Sequence, residues 1–240
     1  MNLKKNRTVF ILGASSDIGI KTVEIYLKNN WQVIAHYNKN KKILQKISDK
    51  KNLELIKFDL RNITDFKNFM KKKFILKKID SFISLTGYIK PTVFSKINLN
   101  LFYDHVNINY LANIFTLQAL LPNMSKYNFG RVLLSSSVGV KFGGNKENIL
   151  YSLSKYMNEF FISSYNDYFK KNILINTIRI GVTRTKIHKN NKYKNLKKRI
   201  NLIPIKRMAL PSEVAEYFYF YGSEKNMLTT KSVIEITGGE

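Results

Sequence analysis

The sequence predicts an α/β fold: a single doubly wound domain over residues 1–240, with a parallel sheet of about seven strands and helices on both faces. Short apolar, β-branched runs alternate with longer stretches of helical period. The short runs are apolar throughout rather than at every second position, as suits strands covered on both faces. No internal repeat, low-complexity block or Pro/Gly-rich linker divides the chain.

Taken in order, "TVFIL" (8–12), "WQVIAH" (31–36), "LELIKF" (53–58), "IDSFISL" (79–85), "RVLLSS" (131–136), "ILINTIRI" (173–180) and "SVIEI" (232–236) read as the strands. Helical spacing joins Ile18, Thr22, Ile25 and Tyr26 after the first strand. Val106, Tyr110, Phe115 and Leu117 to Leu121 mark a longer helix, expected to end near Pro122. Tyr156, Phe160, Phe161, Tyr165 and Phe169 are expected to share the face of another. Right-handed crossovers then stack the strands in parallel.

A compact domain of this length buries about 70% of its unfolded surface and needs no covalent or metal staple. There are no cysteines, which excludes disulfides, thiolate metal sites and a cysteine nucleophile. His36, His105 and His188 lack ligand spacing, so no metal is expected. The formal charge of +25 is spread along the chain without a nucleic-acid motif, and no nucleic-acid partner is expected. The first apolar run is too short for a signal or a membrane span. A cytoplasmic protein without a membrane partner is the reading. One segment, Arg184 to Arg199, is far more basic than the rest.

The first strand runs into "GASSDIG", Gly13 to Gly19, and then into a helix. Glycine permits a sharp turn, and the helix N-terminus beyond offers free N–H groups to a dinucleotide pyrophosphate. The turn resembles the Gly-x-x-x-Gly-x-Gly motif of the short-chain dehydrogenases/reductases, with Asp17 at the usual middle glycine. A carboxylate there would repel a phosphate, so Asp17 is assigned to capping the helix. Gly13, Ser15, Ser16, Ile18 and Gly19 remain on the phosphate side.

The resemblance continues in register. "FDL" places Asp59 and Leu60 after the third strand, beside the adenine of the family's cofactor. "SLTG" ends in Gly87 where the family has Asn-Asn-Ala-Gly, and "VNINYLANIF" sets Asn109 at the family's helix asparagine. "GRVLLSSSVG" supplies the serine-bearing strand and "YSLSK" the Tyr151–Lys155 pair. "IRIGVTRT" is similar to the segment after the sixth strand, carrying Gly181, Val182 and Thr185. "IPIKRMALPSEVAEYFYFYGSE" and "SVIEITGG" look like the family's closing helix, strand and glycines. These matches imply a Rossmann-type, NAD(P)-dependent oxidoreductase.

Spacing alone does not make "YSLSK" a site, since the same interval recurs at Tyr37/Lys41, Tyr193/Lys197 and Tyr221/Lys225. Residues i and i+4 share a helix face, however, so the Lys155 ammonium can approach the Tyr151 phenol and pull its pKa down toward working pH. Tyr151 then serves as general acid in reduction and general base in oxidation. The resemblance adds that Lys155 binds the nicotinamide ribose and Asn109 holds a water in the proton path. The serine that orients the carbonyl is Ser137 when counted from Gly130 and Ser136 when counted back from Gly139. Ser137 is preferred because its interval to Tyr151 is closer to the family's.

Members of this fold that prefer NAD carry an acid at the end of the second strand. Here Tyr37, Asn38 and Lys39 stand there, which favours NADP(H) over NAD(H). The basic segment after the sixth strand implies an anionic substrate or carrier. Length and C-terminal half resemble the 3-oxoacyl-[acyl-carrier-protein] reductases. The loop "SSVGVKFGG" does not, which keeps a sugar or polysaccharide-precursor oxidoreductase as an alternative. A non-catalytic dinucleotide-binding regulator is the reading of another class. The family commonly pairs helices equivalent to 103–123 and 152–171, implying a homodimer or homotetramer.

Overall fold

The computed structural model describes residues 7–47, 49, 51–74, 76–162, 171–186 and 196–240. Its strands are β1 (Thr8–Leu12), β2 (Gln32–Tyr37), β3 (Leu53–Lys57), β4 (Ser81–Ser84), β5 (Gly130–Ser137), β6 (Ile173–Ile180) and β7 (Val233–Ile236). They form one sheet in the order β3-β2-β1-β4-β5-β6-β7, and every pairing is parallel. The described α-helices are α1 (Asp17–Lys28), α2 (Lys41–Gln45), α3 (Ile63–Phe74), α4 (Leu99–Val106), α5 (Ala112–Lys126), α6 (Ile149–Phe161), α7 (Leu196–Leu202) and α8 (Pro211–Gly222).

The pleat of β1 shows why its apolar run is continuous. Phe10 and Leu12 enter one buried cluster with side chains of α3 and α5; Val9 and Ile11 enter a second with side chains of α1 and α8. Both faces are covered, so neither tolerates a polar alternation. Each fully buried Phe or Ile contributes about 1.5–3 kcal/mol. Phe10 packs on Phe74 and Phe82 with ring centroids 5.0 and 5.9 Å apart.

The chain leaves β1 toward β2 and β3, then returns to place β4 on the other side of β1. That reversal opens a crevice at the carboxyl ends of β1 and β4, the usual place for a ligand in an open parallel sheet.

The expected strands all form, with ends shifted by up to two residues. Trp31 stays outside β2 because its N–H closes α1 on the Tyr26 carbonyl, 3.1 Å away. The long helix does not stop near Pro122. A π-helical turn, Asn107–Leu111, joins α4 to α5, and α5 continues through Pro122 to Lys126. Pro122 and Gln118 are both exposed, so the carbonyl deprived of its partner faces water. The aromatic residues of α6 do not share one face: Phe161 is buried, whereas Tyr156 and Phe160 are exposed. Tyr165 and Phe169 lie outside the described residues.

Candidate active site

The carboxyl ends of β1, β4, β5 and β6 and the start of α6 border a cavity of about 930 Å³. Ser15, Ser16 and Ile18 bound it beside the glycine turn. Gly87, Ser137, Tyr151, Lys155, Gly181, Val182 and Thr185 line the rest.

Gly13 (φ +81°) and Gly19 shape that turn. A Cβ on Gly13 would lie 2.8 Å from the Leu85 carbonyl, and one on Gly19 would lie 2.6 Å from the carbonyl oxygens of Gly13 and Ala14. The turn therefore folds back tightly on itself and on β4, leaving the N-terminus of the twelve-residue α1 open to the cavity. Helix N–H groups, small side chains and no room for Cβ atoms suit a pyrophosphate. Gly13→Ala is expected to cost roughly 1–3 kcal/mol of stability and to weaken NADPH binding, read by thermal melting and NADPH fluorescence. Unchanged values in both would remove the steric reading.

The assignment of Asp17 needs correction. Ser16 is the N-cap of α1, its Oγ accepting the Gly19 N–H at 3.0 Å. Asp17 occupies the first helical position and accepts the Lys186 backbone N–H at 2.7 Å, tying the turn to the segment after β6. The local cap was already satisfied by a better-placed serine.

His36 braces the turn from beneath. The Gly13 N–H donates to its Nδ1 (3.2 Å), so Nε2 carries the proton and donates to the Phe58 carbonyl (3.1 Å). Burial lowers its pKa to about 4, which keeps the ring neutral as this pattern requires.

At the opposite end, Ser137 stands beside Tyr151 on the cavity wall. Burial raises the Tyr151 pKa, and the nearby Ser137 hydroxyl opposes that rise. The depression expected from Lys155 is not observed. Its Nζ lies 5.9 Å from the Tyr151 ring centroid and donates instead to the Thr86 carbonyl (2.5 Å), the Ser135 carbonyl (3.1 Å) and the Ser135 hydroxyl (2.9 Å). Lys155 is 2% exposed, and burial lowers its pKa to about 7.

The neighbouring serines separate clearly. Both line the cavity, but Ser136 Oγ donates to Glu159 at 2.6 Å, within an ion-pair cluster with Arg179, whereas Ser137 Oγ accepts only the Gly139 N–H among the described residues, at 3.2 Å. Asn109 does not line the cavity. Its amide clamps the Tyr88 backbone, accepting from the N–H at 2.8 Å and donating to the carbonyl at 2.9 Å. The same amide nitrogen donates to Ser154 Oγ (2.9 Å), which donates to the Tyr151 carbonyl (2.8 Å). The Asn109 carbonyl accepts from Asn113 and Asn158.

Tyr37, Asn38, Lys39, Asp59 and Leu60 stand at the ends of β2 and β3, outside the cavity lining. Arg61 grips the Asp59 carboxylate in a fork, holding its pKa at about 2.

A family model described as short chain dehydrogenase matches residues 7–196. The chain belongs to that family. It is an NAD(P)-dependent oxidoreductase. Among curated relatives, an uncharacterized oxidoreductase, YmfI of Bacillus subtilis, is 24% identical over 241 residues, covering 98% of each chain. The 3-oxoacyl-[acyl-carrier-protein] reductase FabG of Buchnera aphidicola subsp. Schizaphis graminum is 26% identical over 232 residues, covering 95% of this chain and 86% of its own. A 3-oxoacyl (acyl-carrier-protein) reductase from Agrobacterium tumefaciens, solved with NADP bound, superposes with a TM-score of 0.87 at 20% identity, covering 100% of this chain and 98% of its own.

Family motifs do not reveal the residues that hold this site from behind. Thr86, Ser135 and His36 act through backbone carbonyls or through contacts between distant segments. Only Arg61 left a local trace, two residues after the aspartate it grips.

Proposed function

We propose that the chain reduces a ketone to a secondary alcohol with NADPH, the ketone being that of a 3-oxoacyl thioester. The placing of Ser137 and Tyr151 together on one cavity, bounded at its other end by the glycine turn, carries this reading. Gly13, Ser15, Ser16, Ile18 and Gly19 hold the pyrophosphate, with Asp59, Leu60 and Gly87 along the adenosine and Gly181, Val182 and Thr185 near the nicotinamide. When bound, the reduced nicotinamide supplies the hydride.

Tyr151 gives its hydroxyl proton to the carbonyl oxygen as negative charge develops there. Ser137 donates to the same oxygen and fixes its direction. Lys155 binds the ribose and supplies positive charge beside the phenol. Asn109 is a positioning residue: through Ser154 it fixes the first turn of α6, which carries Tyr151. The names of the reductase relatives support the thioester class. Lys186, Lys198 and Arg199 on the cavity wall support an anionic carrier. Exposed Tyr103, Leu153, Tyr156 and Phe160 on α4 and α6 support a homodimer or homotetramer, tested by sedimentation.

The reading is tested by NADPH consumption with acetoacetyl-N-acetylcysteamine and longer 3-oxoacyl thioesters. Absence of turnover across the panel, in protein that binds NADPH, would remove the thioester class. For the cofactor, Lys39→Glu is expected to raise the KM for NADPH about tenfold, equivalent to about 1.4 kcal/mol, with little change for NADH. Equal effects on both would show that Lys39 does not meet the 2′-phosphate.

A further inference from the structure

Two side-chain oxygens beside Tyr151 have no hydrogen-bond partner among the described residues. Asn148, which precedes α6, and Ser152 in its first turn flank Tyr151; the Ser152 N–H donates to the Asn148 backbone carbonyl at 3.0 Å, and both residues line the cavity. Asn148 is 9% exposed and Ser152 4%. The Asn148 Oδ1 and the Ser152 Oγ are shut from solvent, and neither has a hydrogen-bond partner among the described residues. A buried, unsatisfied polar atom costs about 1–3 kcal/mol. Such atoms persist where something other than the fold uses them.

Local structure supports this. Asn148 is the N-cap of α6, where an asparagine ordinarily accepts an N–H of the first turn, yet its side chain makes no capping bond. The amide is withheld from its helix. Two glycines close the space around the pair. A Cβ on Gly144 (φ +82°) would lie 2.9 Å from both the Asn148 carbonyl and Ser152 Oγ, and one on Gly139 would lie 3.2 Å from that Oγ. The loop thus brings bare backbone against Ser152, and the opening beyond is the cavity itself.

Resting on the ketone-reductase reading above, we propose that Asn148 and Ser152 form a polar subsite selecting substrates that carry an O–H or N–H donor near the reacting carbonyl. The Asn148 Oδ1 can only accept, so it receives the hydrogen bond from that donor. Ser152 Oγ can return a hydrogen bond to the oxygen of a hydroxyl, or accept a second one. Rotation about Cα–Cβ turns either atom to the cavity. Two substrate chemistries satisfy the subsite: a hydroxyketone, through its hydroxyl, and a pantetheine-like thioester, through its amide N–H. A ketone with a plain hydrocarbon or ester arm does not.

The experiment compares matched pairs with NADPH. 4-Hydroxy-2-butanone is set against 2-butanone, and acetoacetyl-N-acetylcysteamine against ethyl acetoacetate. The wild type is expected to favour the donor-bearing member of at least one pair by about tenfold or more in kcat/KM. The pair showing the preference identifies the source of the donor. In Asn148→Ala and Ser152→Ala, that ratio is expected to collapse toward one. Fluorescence titration with NADPH confirms that each variant is folded; Asn148→Ala removes no capping bond. A wild-type ratio near one in both pairs, or a ratio that survives both substitutions, overturns the subsite. Loss of turnover that leaves the ratio intact assigns these residues to holding Tyr151, and also overturns it. No reduction of any of the four compounds by NADPH-binding wild type would instead sink the ketone-reductase reading.

Discussion

Tyr151→Phe is expected to lower kcat for ketone reduction by about 10²–10⁴ while leaving NADPH binding unchanged. The substitution removes one oxygen and keeps the ring, so the cavity wall between Ser137 and Lys155 retains its shape. Ser137, beside the phenol on the cavity wall, accepts the Gly139 N–H at 3.2 Å and so stays anchored without it. Two other charged groups on the cavity are already engaged elsewhere. Asp17 sits at the phosphate turn holding the Lys186 N–H, and Arg199 is paired with Glu240. Ser137→Ala removes a hydrogen-bond donor but no acid, so it should cost less than Tyr151→Phe. Stopped-flow measurement of NADPH oxidation at saturating substrate reads both. A Tyr151→Phe enzyme within about threefold of wild type would mean that the proton comes from elsewhere. A lowered melting temperature together with lost NADPH binding would mean that the hydroxyl is structural.

What the sequence made legible follows from how far each signal travels along the chain. Strand β1 and the Gly13–Gly19 turn are local: five apolar residues, a glycine forced to positive φ, and a helix start. Such features are readable because the atoms that impose them are neighbours in sequence. The choice of Ser137 over Ser136 turned on a one-residue difference in spacing. In the structure the two side chains alternate across β5, so that one meets Tyr151 and the other Glu159. Asp17 misled because capping preference is shared by serine and aspartate, and only the register of α1 decides between adjacent residues. The Lys155 surroundings could not be read at all. Thr86 and Ser135 bind it largely through carbonyl oxygens, which every residue possesses, and they are 69 and 20 positions away. Burial by remote segments, rather than the neighbouring phenol, therefore sets its proton affinity.

That burial leads to the second large effect, a pH profile owned by Lys155. Three acceptors surround its Nζ, yet removal from water dominates and brings the pKa down to about 7. The ammonium therefore persists below about pH 7 and is lost as pH rises through it. Burial moves Tyr151 the other way, so the phenol stays protonated over that range. Reduction needs both the protonated phenol and the cation. The kcat/KM for NADPH, which reports groups of the free enzyme, is thus expected to be level at low pH and to fall about tenfold per unit above about pH 7. Lys155→Met should be at least about 10²-fold slower, and its profile should lack that fall. Stability gives an independent reading with the opposite slope. Between about pH 7 and the ordinary lysine range, the unfolded chain holds a proton on Lys155 that the folded chain does not, so folding gains stability as pH rises there. Subtracting the Lys155→Met melting curve from that of wild type isolates this contribution from the many other lysines. A difference curve without slope across that window, alongside a kcat/KM level to pH 9, would show that Lys155 keeps an ordinary proton affinity and that its carbonyl cradle outweighs burial.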